Sequence, residues 1–353
     1  MKYHKGLFIG RFQPIHHGHV HVIKAGLAQC EQLILLIGSI RRAPSVKNPF
    51  SYEQRVAMIR EVLAEHDQLH GTDLSNRVIY RGIEDQMYDD AQWFSDIHQI
   101  VREASQANDR IAVVGHDKDA STWYLSRFEH WDLLHVENYQ ALNATPIRHA
   151  YFAGQLATVG NQLSAACFAW LTQFAQTPEY QRLCDEYQMI QRFKDEWSHT
   201  PYPSIFVTTD SVVTCQNHLL LIRRGRNPGK GLWALPGGFL EAGELIESGL
   251  LRELREETSI GLSDETLRLA LKKIRPFDHP GRAQLGRIIT HAGWFELPGE
   301  FPEVKAADDA AEIQWYPLCD LGRIQDQLHD DHYHIVKHYL TENVKMLSNR
   351  VNV

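Results

Sequence analysis

The chain has 353 residues, 43% of them hydrophobic and 23% charged, with a formal net charge of −8. That length exceeds one ordinary core and suits two domains. The acidic balance speaks against a general nucleic-acid binder, which would carry a basic field.

Short apolar runs recur through the first half, at residues 6–10 (GLFIG), 33–38 (LILLIG), 77–82, 111–115 and 133–136. Most are rich in strand formers and several end in glycine. Helical patterns fall between them, at 18–29, 52–66, 90–104 and 121–130. Strand and helix in alternation predict right-handed βαβ units and an α/β doubly wound parallel sheet, which binds ligands beyond the carboxyl ends of its strands. A further helical region follows Thr145 and is broken at Pro178. Apolar spacing from Glu179 to Trp197 predicts another helix, and SHTPYPS then reads as a break. The expected division is a first domain over 1–178, a helical linker over 179–201 and a second domain over 202–353. In the second half, strand-like IFVTTDSVVT and HLLLIRR flank the turn CQN. A glycine-rich loop, a charged helix, two more strands (GRIITHAGWFEL and EIQWYPL) and a final helix near 327–347 complete an α+β pattern.

The densest chemistry in the first half is GRFQPIHHGHVHVI. Arg11 follows a strand, Gln13-Pro14 makes a turn, and a helix begins near His17 or Gly18. His16 and His19 therefore sit at a helix start, where free N–H groups and the helix dipole attract an anion. Gly18 would let a phosphate approach the backbone. No carboxylates or thiols accompany these imidazoles, so phosphate contact is the better reading than metal ligation. His17 and His21 read as a solvated helix face. HHGH is an instance of the HxGH signature, and GRFQPIHHGH resembles the archaeal-type nicotinamide mononucleotide (NMN) adenylyltransferases of the nucleotidyltransferase superfamily, with its Rossmann-like sheet. Two later segments share the resemblance: GHDKDASTWYL, starting at Gly115, His116 and Asp117, and NATPIR. The latter is similar to the motif SxTxxR, with Asn143 in place of serine and Thr145 and Arg148 in register. The resemblance covers roughly residues 1–175. It implies attack of the NMN 5′-phosphate on the α-phosphate of ATP, giving NAD and pyrophosphate. Arg11, His16, His19 and Arg148 would then hold the triphosphate, with Mg²⁺ assisting. Gly10, Phe12, Gln13 and Gly18 would line the site, and Arg41, Arg42 and Lys47 would add positive charge from a polar loop. Tyr88 and Trp93 are candidates to stack on nicotinamide.

In the second half, GFLEAGELIESGLLRELREETSI matches the Nudix box. Gly238, Glu244, Arg252, Glu253, Leu254, Glu256, Glu257 and Ile260 are in register. Ser259 stands where glycine is usual, and Gly261 is expected to help end the helix instead. Glu253, Glu256 and Glu257 share one helix face, and three such carboxylates repel unless a cation neutralises them. Mg²⁺, or Mn²⁺, suits that oxygen set. Glu244 would assist with metal or base, and Arg252 would orient a glutamate. Pro276 resembles a marker of ADP-ribose pyrophosphatases. Trp233 is a candidate base-stacking residue. Arg282 and Arg287 are candidates for a phosphate or ribose, and Glu312 for an extra carboxylate.

The whole chain resembles the bifunctional NMN adenylyltransferase/Nudix proteins of bacteria. The resemblance implies substrates ATP, NMN and ADP-ribose, the last cut to AMP and ribose 5-phosphate. Three alternatives stay open: nicotinic acid mononucleotide as acceptor, another nucleoside diphosphate as Nudix substrate, and a Nudix domain serving as a ligand sensor. A nucleic-acid-binding regulator would need a basic recognition helix, which is lacking after Val304. Cys30, Cys167, Cys184, Cys215 and Cys319 are scattered without a CxxC pair, which fits a reducing, cytoplasmic compartment. The start MKYHKGLFIGR lacks a signal-like apolar stretch and LILLIG is too short for a bilayer, so no membrane contact is expected. A homo-oligomer is left open.

Overall fold

The computed structural model describes residues 1–115 and 120–351. The chain divides into two compact units, Met1–Asp185 and Glu186–Val353. Among the described residues no helix is long and apolar enough to cross a membrane.

The first unit runs β1 (Tyr3–Gly10), α1 (His17–Gln29), β2 (Cys30–Ile37), α2 (Tyr52–His70), β3 (Val78–Gly82), α3 (Asp90–Glu103), β4 (Ile111–Gly115), β5 (Asp132–His135), α4 (Ala144–Phe152) and α5 (Ala165–Phe174). Its five strands are parallel in the order β3-β2-β1-β4-β5. Leu7, Ile34, Leu36 and Val113 are buried to within 1% and pack with Ile97 and Val101 of α3. β1 and β4 are neighbours, and the chain winds outward from them in opposite directions. Their carboxyl ends therefore open the crevice in which such sheets take ligands. The alternating pattern is as the sequence implied. The stretch expected to be a helix at 121–130 is instead a 3₁₀ segment over Ala120–Arg127.

The helix α6 (Pro178–Glu196) spans the division. The helical region is broken between Phe174 and Pro178, near where the sequence placed the break, and Pro178 is the first residue of the new helix. Its missing N–H is harmless in a first turn, and the Thr177 hydroxyl accepts from the Tyr180 amide at 3.2 Å.

The second unit holds β6 (Ile205–Cys215), β7 (His218–Arg224), β8 (Trp233–Ala234), β9 (Gly237–Phe239), α7 (Ile246–Thr258), α8 (Asp264–Ala270), β10 (Leu271–Phe277), β11 (Arg287–Leu297), β12 (Ala310–Pro317) and α9 (His332–Val351). The sheet is mixed, in the order β10-β11-β6-β7-β12, and only β11–β6 among these neighbours is parallel. α7 buries Leu250, Leu251 and Leu254 against Val213, Leu220 and Phe295, which leaves its acidic face for other work. Ser259 itself closes α7 in the left-handed conformation, with φ 44° and ψ 34°. Gly261 does not supply the reversal expected of it; its N–H bonds to the Glu303 carbonyl oxygen at 3.0 Å.

Candidate active sites

In the first unit a cleft of about 330 Å³ opens at the ends of β1 and β4. Gly10, Arg11, Phe12, Gln13, His16, Gly18 and His19 line one side, and Gly115, Asn143, Thr145 and Arg148 contribute from later in the chain. Two helices point their N-termini into this cleft. α1 starts after His16, and α4 starts after Asn143, whose side-chain oxygen accepts from the Thr145 amide at 2.9 Å. Asparagine thus caps the helix as serine would. The His16 amide donates to His19 Nδ1 at 3.2 Å. A neutral His19 therefore carries its proton on Nε2, the end able to donate to a phosphate oxygen. The two rings lie 3.8 Å apart. Gly18 serves His16 here: a Cβ would sit 3.0 Å from that ring, so the space expected for phosphate is filled by imidazole.

Arg148 is 6% exposed and donates to the Gln13 carbonyl oxygen at 2.8 Å and to Thr145 Oγ1 at 3.1 Å. Burial, and then the charge of Arg11, bring its pKa down to about 10. Two guanidinium groups that repel each other beside two helix N-termini make a strong anion site. Gln13 is spent on structure. Its amide bonds both to the Phe50 carbonyl oxygen, at 2.9 Å, and to the Phe50 N–H, at 3.0 Å. Phe12 is 1% exposed, at φ 52°, with its ring 4.8 Å from that of His19.

Trp93 lines the cleft, half-buried and edge-on to Tyr124 at 5.4 Å, whereas Tyr88 does not line it. Arg41 pairs with Glu84 at 3.3 Å and Arg42 reaches Met87 Sδ at 3.6 Å; neither these nor Lys47 is a lining residue. His116 and Asp117 lie outside the described residues. Arg55 and Asp85 escaped the sequence reading. Arg55, 1% exposed on α2, donates to the carbonyl oxygens of Arg11 at 2.9 Å, Gly38 at 2.6 Å, Ser39 at 3.3 Å and Ser51 at 3.1 Å. It thereby ties together the ends of β1 and β2. Asp85 accepts from the Ser39 hydroxyl at 3.0 Å and lines the cleft.

In the second unit a cleft of about 640 Å³ is lined by Gly238, Arg252, Glu253, Glu256 and Glu257 together with Asp210, Arg224 and His332. Arg252 is the hub. Its Nε and Nη2 donate to Glu244 at 2.8 and 3.0 Å, and its Nη1 donates to Glu253 at 2.8 Å and Glu256 at 2.9 Å. The hydrogen bonds from Arg252 hold Glu244 below the ordinary carboxylate range. Glu257 is 5% exposed and accepts from the Gly237 amide at 2.8 Å. Burial, and then the charges of Glu253 and Asp210, push its pKa up to about 8. Glu253 is likewise raised by burial. Gly238 has no room for a side chain, because a Cβ would lie 2.6–2.8 Å from the Glu253 carboxylate.

Among the described residues no three His, Cys, Asp or Glu side chains converge as a ready-made metal cage. The donors nevertheless fit a hard divalent cation. They are oxygens on one face of α7 within one cleft, and small divalent ions take one or two carboxylates and complete their shell with water and phosphate.

A cytidylyltransferase-like family model matches residues 7–146 and a NUDIX domain model matches residues 206–339. The nicotinamide/nicotinic acid mononucleotide adenylyltransferase of Acinetobacter baylyi is 30% identical over 183 residues, which span 52% of this chain and 92% of that protein. The ADP-ribose pyrophosphatase of Methanocaldococcus jannaschii is 37% identical over 134 residues, 38% of this chain and 72% of that protein. A crystal structure of a bifunctional NMN adenylyltransferase/ADP ribose pyrophosphatase from Francisella tularensis, complexed with AMP and a manganese ion, aligns with TM-score 0.90 and 37% identity. That alignment covers 96% of this chain and 99% of the other. The chain belongs to this bifunctional adenylyltransferase/Nudix family.

Several residues expected in the Nudix cleft lie elsewhere. Trp233 on β8 is 5% exposed and carries the Arg223 guanidinium over its ring at 4.7 Å, so pairing with β7 has made it core. Pro276 is an exposed residue of β10, opposite His291. Glu312 pairs with Arg223 at 3.4 Å, and Arg287 donates to the Asp278 carbonyl oxygen; neither lines the cleft. Arg282 does line it, but its guanidinium is committed to Asp331, at 3.0 and 2.9 Å, and lies 3.6 Å from Asp210. It is a buried strut, and its carboxylate partner lies 49 residues downstream.

Proposed function

We propose that this chain joins two reactions of pyridine-nucleotide metabolism, one in each unit. The first unit transfers the adenylyl group of ATP to NMN, forming NAD and releasing pyrophosphate. A 5′-phosphate oxygen of NMN attacks the α-phosphorus directly, so the protein needs no covalent nucleophile. Its task is positioning and neutralisation of charge. Arg11, Arg148, the amides opening α1 and α4, and the Nε2–H of His19 hold the triphosphate. Trp93 flanks the nicotinamide. The relative in Acinetobacter is named for both nicotinamide and nicotinic acid mononucleotides, so the acid is the second acceptor to test.

The second unit hydrolyses ADP-ribose to AMP and ribose 5-phosphate. Glu253, Glu256 and Glu257 hold a divalent cation, magnesium or manganese, with Glu244 steadied by Arg252. Such a cation supplies a Lewis acid for the pyrophosphate and a water of lowered pKa. Gly237 and Gly238 bring the backbone against the carboxylates and fix Glu257 through its amide bond.

The observation that carries this reading is the co-occurrence of an anion-ready cleft in one unit and a carboxylate-rich cleft in the other, in a chain that aligns with the Francisella structure over both halves. The test is a product assay with Mg²⁺ or Mn²⁺: NAD from NMN plus ATP, and AMP from ADP-ribose. Absence of either product removes the corresponding half of the proposal.

A further inference from the structure

Four arginines line the cleft of the second unit: Arg224, Arg226, Arg252 and Arg282. A doubly charged diphosphate needs a cation besides the one held by carboxylates, and three of the four are occupied. Arg252 is shared among Glu244, Glu253 and Glu256. Arg282 is buried between Asp331 and Asp210. Arg226 is 73% exposed and pairs with Asp309 at 2.9 Å. Arg224 differs. It ends β7, half-buried, and its Nε donates to the Pro228 carbonyl oxygen at 2.8 Å. That bond fixes the plane of the guanidinium and leaves both terminal nitrogens without a hydrogen-bond partner among the described residues. The backbone beneath is fixed as well, since the Arg224 amide donates to the Leu232 carbonyl oxygen at 2.9 Å and its carbonyl oxygen accepts from the Gly231 amide at 2.8 Å. Arg224 lines the same cleft as Glu253, Glu256 and Glu257 of α7, and its positive charge opposes the upward shift that burial causes at Glu257.

We propose that Arg224 holds a phosphate of the nucleoside diphosphate substrate, its two terminal nitrogens forming the fork that phosphate oxygens accept. The inference rests on the Nudix reading of this cleft and adds a residue outside the box. A planar guanidinium aimed by a backbone carbonyl is pre-organised for bidentate contact, which lysine cannot reproduce.

The experiment uses the full chain with Mn²⁺ and compares wild type, Arg224→Ala and Arg224→Lys for AMP release from ADP-ribose. The expected result is a KM at least about tenfold higher for the alanine variant, with lysine intermediate. Millimolar guanidinium ion should restore part of the alanine variant's hydrolysis without stimulating wild type. NAD formation by the first unit reports the amount of intact chain, and the melting temperature of the second unit reports whether that unit is folded. Wild-type KM in the alanine variant overturns the proposal. So does a loss that guanidinium does not rescue and that comes with a lowered melting temperature, because the arginine would then be structural. If wild type itself releases no AMP, the substrate reading falls, and inorganic pyrophosphate is titrated calorimetrically instead. Two bound equivalents in wild type and one in the alanine variant uphold Arg224 as a phosphate holder; equal stoichiometry and affinity overturn it.

Discussion

Arg252 grips Glu244 with two nitrogens, at 2.8 and 3.0 Å, from the opposite end of an eight-residue separation in sequence. The same guanidinium reaches Glu253 and Glu256, so one positive charge aligns three carboxylates of the box. Arg252→Gln removes the charge that keeps them from repelling one another. AMP release should fall by about 10- to 100-fold, the usual cost of losing a group that orients metal ligands. The deficit should shrink as Mn²⁺ is raised. A variant with unchanged metal dependence would show that the carboxylates hold their places without the arginine.

In the first unit, Arg148 bridges the β1–α1 turn and the start of α4, through the Gln13 carbonyl oxygen and Thr145 Oγ1. Arg148→Ala removes both the bridge and one of the two charges at the proposed triphosphate site. NAD formation should drop by about 100-fold or more, the scale of losing one aligned donor to developing charge. Arg148→Lys should recover only a small part, lacking the fork. AMP release from ADP-ribose in the same samples should not change. Equal kcat/KM in wild type and Arg148→Ala would remove this residue from the site.

Ser259 offers a stability test. It holds a left-handed conformation, φ 44°, at the end of α7. That region costs a non-glycine residue about 1–2 kcal/mol, offset in part by the greater unfolded-state freedom of glycine. Ser259→Gly should therefore stabilise the second unit by about 0.5–1 kcal/mol in chemical denaturation, with hydrolysis unaffected. Destabilisation would mean that the serine side chain contributes more than its backbone strain costs.

The Arg282–Asp331 pair makes the opposite prediction. Asp331 is 0% exposed and receives two bonds from Arg282. Arg282→Met takes two hydrogen bonds and a compensating charge from a buried carboxylate, and the expected loss is about 3–5 kcal/mol. Asp331→Asn on that background should return part of it, since the buried negative charge is gone. A single variant that melts like wild type would contradict the buried-strut assignment.

These cases mark what the sequence made readable. The strand-turn-helix of GRFQPIHHGH and the glutamates of α7 are encoded by local spacing, because residues three and four apart on a helix share a face whatever surrounds them. The cleft side of the parallel sheet was equally legible, since strand alternation and the position of Arg11 after β1 determine it. Roles that depend on distant partners were not. Arg282 has the chemistry of a phosphate binder until Asp331 neutralises it. Trp233 sits in a glycine-rich loop, where aromatics commonly meet ligands, but its short pairing with β7 draws it into the core. Gln13 belongs to the motif, but Phe50, 37 residues on, occupies its amide. Arg55 and Arg224 lie in an ordinary helix and an ordinary strand. Only the fold shows that the first braces the β1 and β2 ends and that the second faces the carboxylates.

A crossed assay of two variants in the presence of Mg²⁺ separates the two sites. Wild type, His19→Ala and Glu257→Gln are each assayed for NAD formation from NMN plus ATP and for AMP release from ADP-ribose. His19→Ala should lose NAD formation and keep AMP release, while Glu257→Gln should do the reverse. A single substitution that abolishes both activities in a folded chain, or a wild type that yields only one product, would contradict two active sites in one protein.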